Sequence, residues 1–359
     1  MLDAKHLELI LAIEEYGTLQ QAAQVLHLSP SALSHRLRRF EEQLDVALFH
    51  RTGNQLLFTE AGKVVCDKAR QIRTQYEELT ARVEEIRETQ QARYIHGYSA
   101  REAQRLQDQA ASVADFLHHD SYWAPEETVL EVGCGVGAQT EIIATQNPEV
   151  QFTSVDISEK SLRIAEARIR QQQLTNVQFQ QLDLYSAELL RLPQFDHLFV
   201  CFLLEHLAQP LQALRQLSKV LRPGGTITVI EGDHGSTFFH PHNSYAEKMV
   251  KSQVRLQQQR GGNANIGRQL HPLLTTVGFQ DVQVSPRQIY CDDAKPKLKE
   301  GFIKNTFTAM MEGVQEEVIA AKIVGREEAA AGIKALLRTA DSGGTFSYTF
   351  FKARAILAK

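Results

Sequence analysis

Cysteine is scarce in this chain of 359 residues. There are four, Cys66, Cys134, Cys201 and Cys291, far apart and without CxxC or metal-ligand spacing. That argues against a disulfide framework or a zinc site and fits a reducing cytoplasm. Long apolar runs are missing as well: none approaches the ~18 residues of a membrane span. The N-terminus lacks the pattern of a secretory signal. Excess positive charge is also absent, and the net charge of -4 argues against a globally basic nucleic-acid binder. A local basic patch remains compatible with that balance. What is present is ordinary for a soluble globular protein, 43% hydrophobic and 23% charged. At roughly 100–200 residues per domain, the length predicts about two to three domains.

Residues 1–58 carry three helical patterns and a short ribbon. Leu7, Ile10 and Leu11 recur at helical spacing until Gly17 interrupts. Thr18 can cap a second helix with Gln21 as its capping-box partner, and Ala22, Ala23 and Leu26 give it a small apolar face. Ser29 can cap a third, with Pro30 in the first turn where it is tolerated. Leu33, Leu37, Phe40 and Leu44 form the buried stripe of that third helix, and Ser31, Ser34, His35 and Arg38 share its opposite face. This is the pattern of a helix-turn-helix whose third helix enters a major groove. Leu48–Phe58 reads as a wing, two strands around a turn at Gly53–Asn54. Residues 59–92 read as one long helix capped by Thr59. Val65, Ala69, Ile72, Tyr76, Leu79, Val83 and Ile86 alternate at four- and three-residue spacing, a seam for dimerisation.

The run "GTLQQAAQVLHLSPSALSHRLRRFEEQLDVALFHRTGNQLLFTEAG", residues 17–62, resembles the winged helix-turn-helix of LysR-type transcriptional regulators. Ser31-Ala32-Leu33-Ser34-His35 is most similar to the methionine-biosynthesis regulator branch. The resemblance implies DNA binding through residues 1–58, with Ser31, Ser34, His35, Arg36, Arg38, Arg39 and Arg51 facing the nucleic acid, and a homodimer or dimer of dimers. Family members usually carry Gln-Pro where this chain has Pro30-Ser31, so their base contacts do not transfer. Residues 1–60 hold five Lys/Arg against eight Asp/Glu. Phosphate contacts dominate affinity, so binding per subunit should be modest.

Beyond residue 92 the expected effector-binding lobes of such a regulator are replaced by strands alternating with helices, the pattern of a doubly wound parallel sheet. "TVLEVGCGVGAQTEII", residues 128–143, gives a buried strand, a glycine loop and a helix. The glycines let the backbone turn sharply and approach a ligand. Asp156 ends the next strand, placed for the hydroxyls of a ribose. A third strand, "NVQFQQLDL", ends at Asp183. The spacing GxGxG, preceded by Glu131, departs from the GxGxxG of dinucleotide enzymes; the carboxylate would repel a pyrophosphate and suit an ammonium group.

The motifs "LEVGCGVG", "VDIS", "QLDL" and "LRPGG" occur in the order and spacing of class I S-adenosylmethionine-dependent methyltransferases, which residues 93–359 resemble. The resemblance implies a seven-stranded Rossmann-like sheet with helical lid insertions, about residues 238–260 and 293–340. It places Glu131, Gly133, Gly135 and Gly137 around the methionine moiety of S-adenosylmethionine, and Asp156 on the ribose. Ile157, Asp183 and Leu184 would lie at the adenine, Cys201 and Phe202 near the sulfonium, and Tyr98 over the cofactor carboxylate. The methyl acceptor is expected to be a small molecule. A base for it is sought just past the fifth strand among Asp233, His234, His240, His242 and Tyr245, with His234 best placed. His240 and His242 lack a third ligand, so no metal is expected. Glu205-His206-Leu207 is read as structural. The combination predicts a cytoplasmic bacterial enzyme fused to a DNA-binding front, with a regulator that senses S-adenosylmethionine or S-adenosylhomocysteine as the alternative.

Overall fold

The computed structural model describes residues 4–26, 28–52, 55–91 and 100–358; the side chains of residues 4–5, 51–52, 55, 76–91, 100–101, 103 and 111 lie outside the described ones. The chain forms two compact units, Met1–Gln91 and Ala92–Lys359.

The first unit holds α1 (Ala4–Tyr16), α2 (Leu19–Val25), α3 (Pro30–Leu44), the antiparallel pair β1 (Phe49–Thr52) and β2 (Gln55–Phe58), and α4 (Glu60–Gln91). The predicted caps are in place. Thr18 accepts from the Gln21 N–H and Ser29 from the Ala32 N–H, and Thr59 accepts from the Gly62 N–H. Ala22 and Ala23 are fully buried against Leu33, Leu37 and Phe40 of α3. Short side chains there let α2 and α3 approach closely.

Val65 and Ala69 do not face a dimer seam as the heptad spacing predicts: both pack into the core of this unit, with Ala69 fully buried beside Cys66. Arg70 binds Glu14 of α1 through two hydrogen bonds of 2.8 and 3.2 Å. The first turns of α4 therefore belong to the helix-turn-helix body. Ile72 is 47% exposed and available to a partner. The side chains of Tyr76, Leu79, Val83 and Ile86 lie outside the described residues.

The second unit opens with α5 (Ala100–His118) and centres on a seven-stranded sheet. Its strands are β3 (Thr128–Val132), β4 (Gln151–Asp156), β5 (Val177–Gln181), β6 (Phe195–Cys201), β7 (Leu221–His240), β8 (Phe279–Cys291) and β9 (Thr345–Leu357). Their order is β5-β4-β3-β6-β7-β9-β8. Strands β3 to β7 pair in parallel, and β9 is antiparallel to both neighbours. The expected third strand is shorter than its sequence run. It ends at Gln181, because Asp183 turns back to accept the Tyr185 N–H at 2.9 Å.

Alternate strand residues face opposite layers. Val129 and Phe199 join the core beneath α5, α6 (Ala138–Gln146) and the later helices. Leu130, Leu198 and Val200 join the core on the other face, with residues of α8 (Pro210–Leu217) and α10 (Leu270–Val277). Between these, α7 (Glu159–Gln171) links β4 to β5, and α9 (Ser244–Gln259) follows β7. The second insertion, predicted as helical, contains a π-helical stretch, Lys299–Thr308, and a final helix, Arg326–Arg338. Buried Lys352 of β9 ties the sheet to the end of α5, donating to the Leu117 carbonyl, the Asp120 carboxylate and the Ser121 hydroxyl at 2.6–2.8 Å.

Candidate functional site

The loop after β3 turns through three glycines with positive φ, Gly133 (74°), Gly135 (53°) and Gly137 (72°). Their reasons differ. A Cβ at Gly133 would lie 2.8 Å from Leu203 Cδ1, and one at Gly137 would lie 2.8 Å from Ala165 Cβ. Those two serve close packing within the protein. A Cβ at Gly135 would meet nothing within 4 Å, so this turn borders open space. The Gly135 N–H donates to Asp156 Oδ2 at 2.8 Å, while Oδ1 takes the Ser158 N–H at 2.8 Å. The carboxylate at the end of β4 is thus fixed in orientation and tied to the glycine loop, each oxygen keeping acceptor capacity. Burial raises the Asp156 pKa against these hydrogen bonds.

Glu131 is almost wholly buried, and its Oε2 accepts from the Thr140 hydroxyl at 2.7 Å and the Ser154 hydroxyl at 2.6 Å. Burial pushes its pKa up to about 7. Ile157 and Asp183 are partly exposed at the same ends of the strands, whereas Leu184 and Cys201 are buried. Phe202 takes the left-handed φ of 55°, uncommon for a bulky side chain, a strained conformation that persists where surrounding structure holds it. Tyr98 lies outside the described residues.

Phe202 leads into a partly open cleft. The floor comes from β7 and β9. Gly232 and His234 lie on one strand, Tyr348 and Phe350 on the other, and the register places Gly232 opposite Phe350. Phe302, Thr306 and Phe307 enter from the π-helical stretch, and Arg105 from α5. π-Helical turns are rare and often mark functional sites.

His234 is 6% exposed. Its Nδ1 is 2.7 Å from the Tyr348 hydroxyl, and its ring meets Phe307 edge-on at 6.0 Å. Nε2 is buried and has no hydrogen-bond partner among the described residues. Burial, and then the nearby Arg105 charge, push its pKa down to about 3, so the imidazole is neutral. Of the other proposed bases, Asp233 is committed to Arg268 through contacts of 2.6–3.0 Å. His240, His242 and Tyr245 are exposed to solvent. No group of three metal-ligating side chains is found among the described residues.

Glu205 and His206, read from the sequence as structural, both line the cleft. The Glu205 carboxylate accepts from Gln257 Nε2 at 3.2 Å, and burial raises its pKa to about 7. Glu231, at the end of the parallel run of β7, lies fully buried near it. Oε1 takes the N–H groups of Leu203 and Leu204 at 3.0 and 2.7 Å, while Oε2 has no partner among the described residues. Burial and the Glu205 charge hold Glu231 well above the usual carboxylate range. Sequence reasoning missed Arg105, Glu231, Tyr348 and the aromatic walls. Tyr348 and Phe350 share one face of a strand by simple alternation, a signal present in "YTFF".

In the first unit Ser31, His35, Arg38 and Arg39 are exposed on α3, and Ser34 and Arg36 partly so. Arg38 Nε pairs with Glu42 at 3.1 Å. The side chain of Arg51 lies outside the described residues.

Two family models match the chain. "Bacterial regulatory helix-turn-helix protein, lysR family" covers residues 4–63, and "Methyltransferase domain" covers residues 130–227. The chain carries a lysR-type module followed by a methyltransferase domain. The module is 44% identical over 62 residues to the HTH-type transcriptional regulator MetR of Haemophilus influenzae, covering 17% of this chain and 20% of that one. A malonyl-[acyl-carrier protein] O-methyltransferase of Paenibacillus is 30% identical over 162 residues, 44% of this chain and 57% of that one. An uncharacterized 37.1 kDa protein in transposon TN4556 of Streptomyces fradiae is 27% identical over 299 residues, 80% of each chain. The chain thus spans little more than half of the named methyltransferase and a fifth of the regulator.

Proposed function

We propose that the second unit transfers a methyl group from S-adenosylmethionine to a small molecule bound in the cleft, and that the first unit binds DNA as a dimer. The observation that carries the cofactor assignment is the pairing of Gly135 with Asp156: open space above a glycine turn, beside a partly buried carboxylate oriented by that turn's own N–H. Bound there, S-adenosylmethionine would supply an electrophilic methyl on a sulfonium sulfur. Asp156 would take the ribose hydroxyls, Ile157, Asp183 and Leu184 would border the adenine, and Glu131 with Gly133, Gly135 and Gly137 would surround the methionine end. Cys201 ends β6 and Phe202 lines the cleft, and both would flank the sulfonium. His234 would act as the base for the acceptor, its ring oriented by Tyr348 and shielded from water by Phe307.

Calorimetric titration tests the assignment. S-adenosylhomocysteine should bind and NAD should not; binding of NAD alone would overturn it. The lysR-type module supports a second role, a transcriptional regulator whose methyltransferase domain reads S-adenosylmethionine or S-adenosylhomocysteine. Catalytic turnover separates an enzyme from a pure sensor. A cytoplasmic setting suits both readings, and no helix among the described residues is long and apolar enough to cross a membrane.

A further inference from the structure

The cleft is built for one class of acceptor, and this inference rests on the methyltransferase reading above. We infer that it takes a neutral, planar aromatic or enolic hydroxyl compound, with the hydroxyl on His234 Nε2 and the ring against the surface formed by Phe302, Phe307 and Phe350.

The argument begins with charge. Arg105 is the cation that lines the cleft, and its guanidinium is already held: Nε and a terminal nitrogen by Glu102 at 2.8 and 2.6 Å, the other nitrogen by Gln109 at 3.1 Å. A carboxylate acceptor would meet a guanidinium whose charge the Glu102 carboxylate already balances. The acid at the rim, Glu205, is engaged by Gln257 and does not stand ready as a counter-ion for an ammonium group. Burial raises the pKa of both Glu205 and Glu231, so neither presents a full negative charge at low cost near neutrality.

Shape points the same way. Phe302 lies 5.7 Å from Tyr348 and 5.9 Å from Phe350, and Tyr348 and Phe350 are 4.7 Å apart, so the walls are ring faces and edges. Such surfaces favour offset or edge-to-face contact with another ring. Nε2 of His234, whose ring meets Phe307 and Tyr348, is buried and without a partner among the described residues. A buried polar group left unpaired is unfavourable, and a ligand hydroxyl relieves it.

The chemistry closes on that atom. With Nδ1–H donating to the Tyr348 hydroxyl, Nε2 offers its lone pair. The acceptor hydroxyl passes its proton to Nε2 as its oxygen uses a lone pair to bond the methyl carbon. The carbon–sulfur bond of the sulfonium breaks, and its electron pair stays on sulfur as a neutral thioether. The imidazolium then returns its proton to water as product leaves. Because burial makes that cation unfavourable, the base suits a hydroxyl that is already acidic, aryl or enolic, better than an aliphatic alcohol.

The test uses the full chain saturated with S-adenosylhomocysteine and four probes: 2-naphthol, naphthalene-2-carboxylate, 2-naphthylmethylamine and cyclohexanol. Calorimetry should show 2-naphthol binding about tenfold tighter than each of the others: a site built to hydrogen-bond a hydroxyl discriminates against the two charged analogues lacking it, and ring walls favour an aromatic partner over cyclohexanol. With S-adenosylmethionine, 2-naphthyl methyl ether should form. His234→Ala should remove the preference while changing S-adenosylhomocysteine affinity by less than about twofold. Tyr348→Phe, which keeps the ring, should weaken 2-naphthol binding by a few fold and guards against a folding defect in the first variant. Preference for the ammonium or carboxylate probe, or no preference, with S-adenosylhomocysteine binding intact would overturn the acceptor class alone. Failure to bind S-adenosylhomocysteine would instead overturn the methyltransferase reading.

Discussion

Gly232 and Tyr348 compete for one space: a Cβ at position 232 would stand 2.2 Å from the Tyr348 hydroxyl. The glycine is therefore what allows that hydroxyl to reach His234 Nδ1 at 2.7 Å. Gly232→Ala should displace the tyrosine ring and release His234 from its orientation. We expect a stability loss of about 1–3 kcal/mol, the usual range for forcing a carbon into a packed core. Methyl transfer should fall by more than affinity for S-adenosylhomocysteine does. Thermal denaturation and calorimetry on the same sample check both halves; equal losses would show a general unfolding effect.

Asp156→Ala should weaken S-adenosylhomocysteine binding by at least about tenfold, because each charge-assisted hydrogen bond to a ligand hydroxyl contributes about 1.5–3 kcal/mol. The same carboxylate holds the Gly135 and Ser158 N–H groups. Asp156→Asn keeps one oxygen acceptor and should retain more of the loop order. Affinity unchanged in Asp156→Ala would place the ribose elsewhere.

Glu205 carries a pH prediction. Its folded pKa is raised to about 7 from an ordinary 4.5. Below the ordinary value both folded and unfolded chains hold the proton. Between the two values the folded chain alone holds it, so stability falls as pH rises through that window and levels off above about 7. Glu205→Gln removes this dependence. In urea unfolding without ligand, the loss of stability between about pH 5 and about pH 8 should shrink by up to about 3 kcal/mol. The wild-type slope persisting in the variant would assign it to Glu131 or Glu231 instead.

The seam on α4 is now narrower than its heptads suggested. Val65 and Ala69 are used inside the first unit, while Ile72 is exposed. Replacing Ile72 and Leu79 by glutamate should give monomers with an intact helix-turn-helix core; Ala69→Glu should unfold that core. Sedimentation and circular dichroism distinguish the two outcomes. A double variant that keeps the wild-type mass would put the dimer interface elsewhere.

Local rules made much of the chain legible. Thr18, Ser29 and Thr59 announced three helix starts by hydroxyl chemistry that acts within three residues. Glu131, Gly135 and Asp156 sit on one loop and two adjacent strands, so a local motif carried their geometry. The cleft did not follow in the same way. Arg105, Phe302 and Tyr348 come from three segments separated by about 40 to 200 residues, and their meeting depends on how β9 inserts between β7 and β8. Heptad spacing misassigned Ala69 because a helix face reads the same whether it meets a second copy or its own α1.

The last prediction concerns DNA. Arg38 and Glu42 lie one turn apart on α3, paired at 3.1 Å, and both side chains are mostly exposed, 78% and 62%. An exposed pair of this kind contributes little, ~0–1 kcal/mol, so phosphate can capture the guanidinium. Arg38→Ala should weaken binding on every sequence if the contact is to phosphate, and relax one base position if it reads guanine. Glu42→Gln should act in the opposite direction, freeing Arg38 and removing a negative charge near the phosphates. Its affinity should rise, most clearly at low salt, where unscreened repulsion is largest. Two third helices in one dimer would meet successive major grooves about 34–36 Å apart, so selection from random duplexes should return an imperfect palindrome. Repeating the selection with S-adenosylhomocysteine present tests coupling between ligand and operator, which must be reciprocal: any factor by which the ligand changes DNA affinity must reappear in its own affinity when DNA is bound. Recovery of no enriched sequence in either condition, with Arg38→Ala and Glu42→Gln behaving as wild type, would leave the lysR-type module without a DNA role.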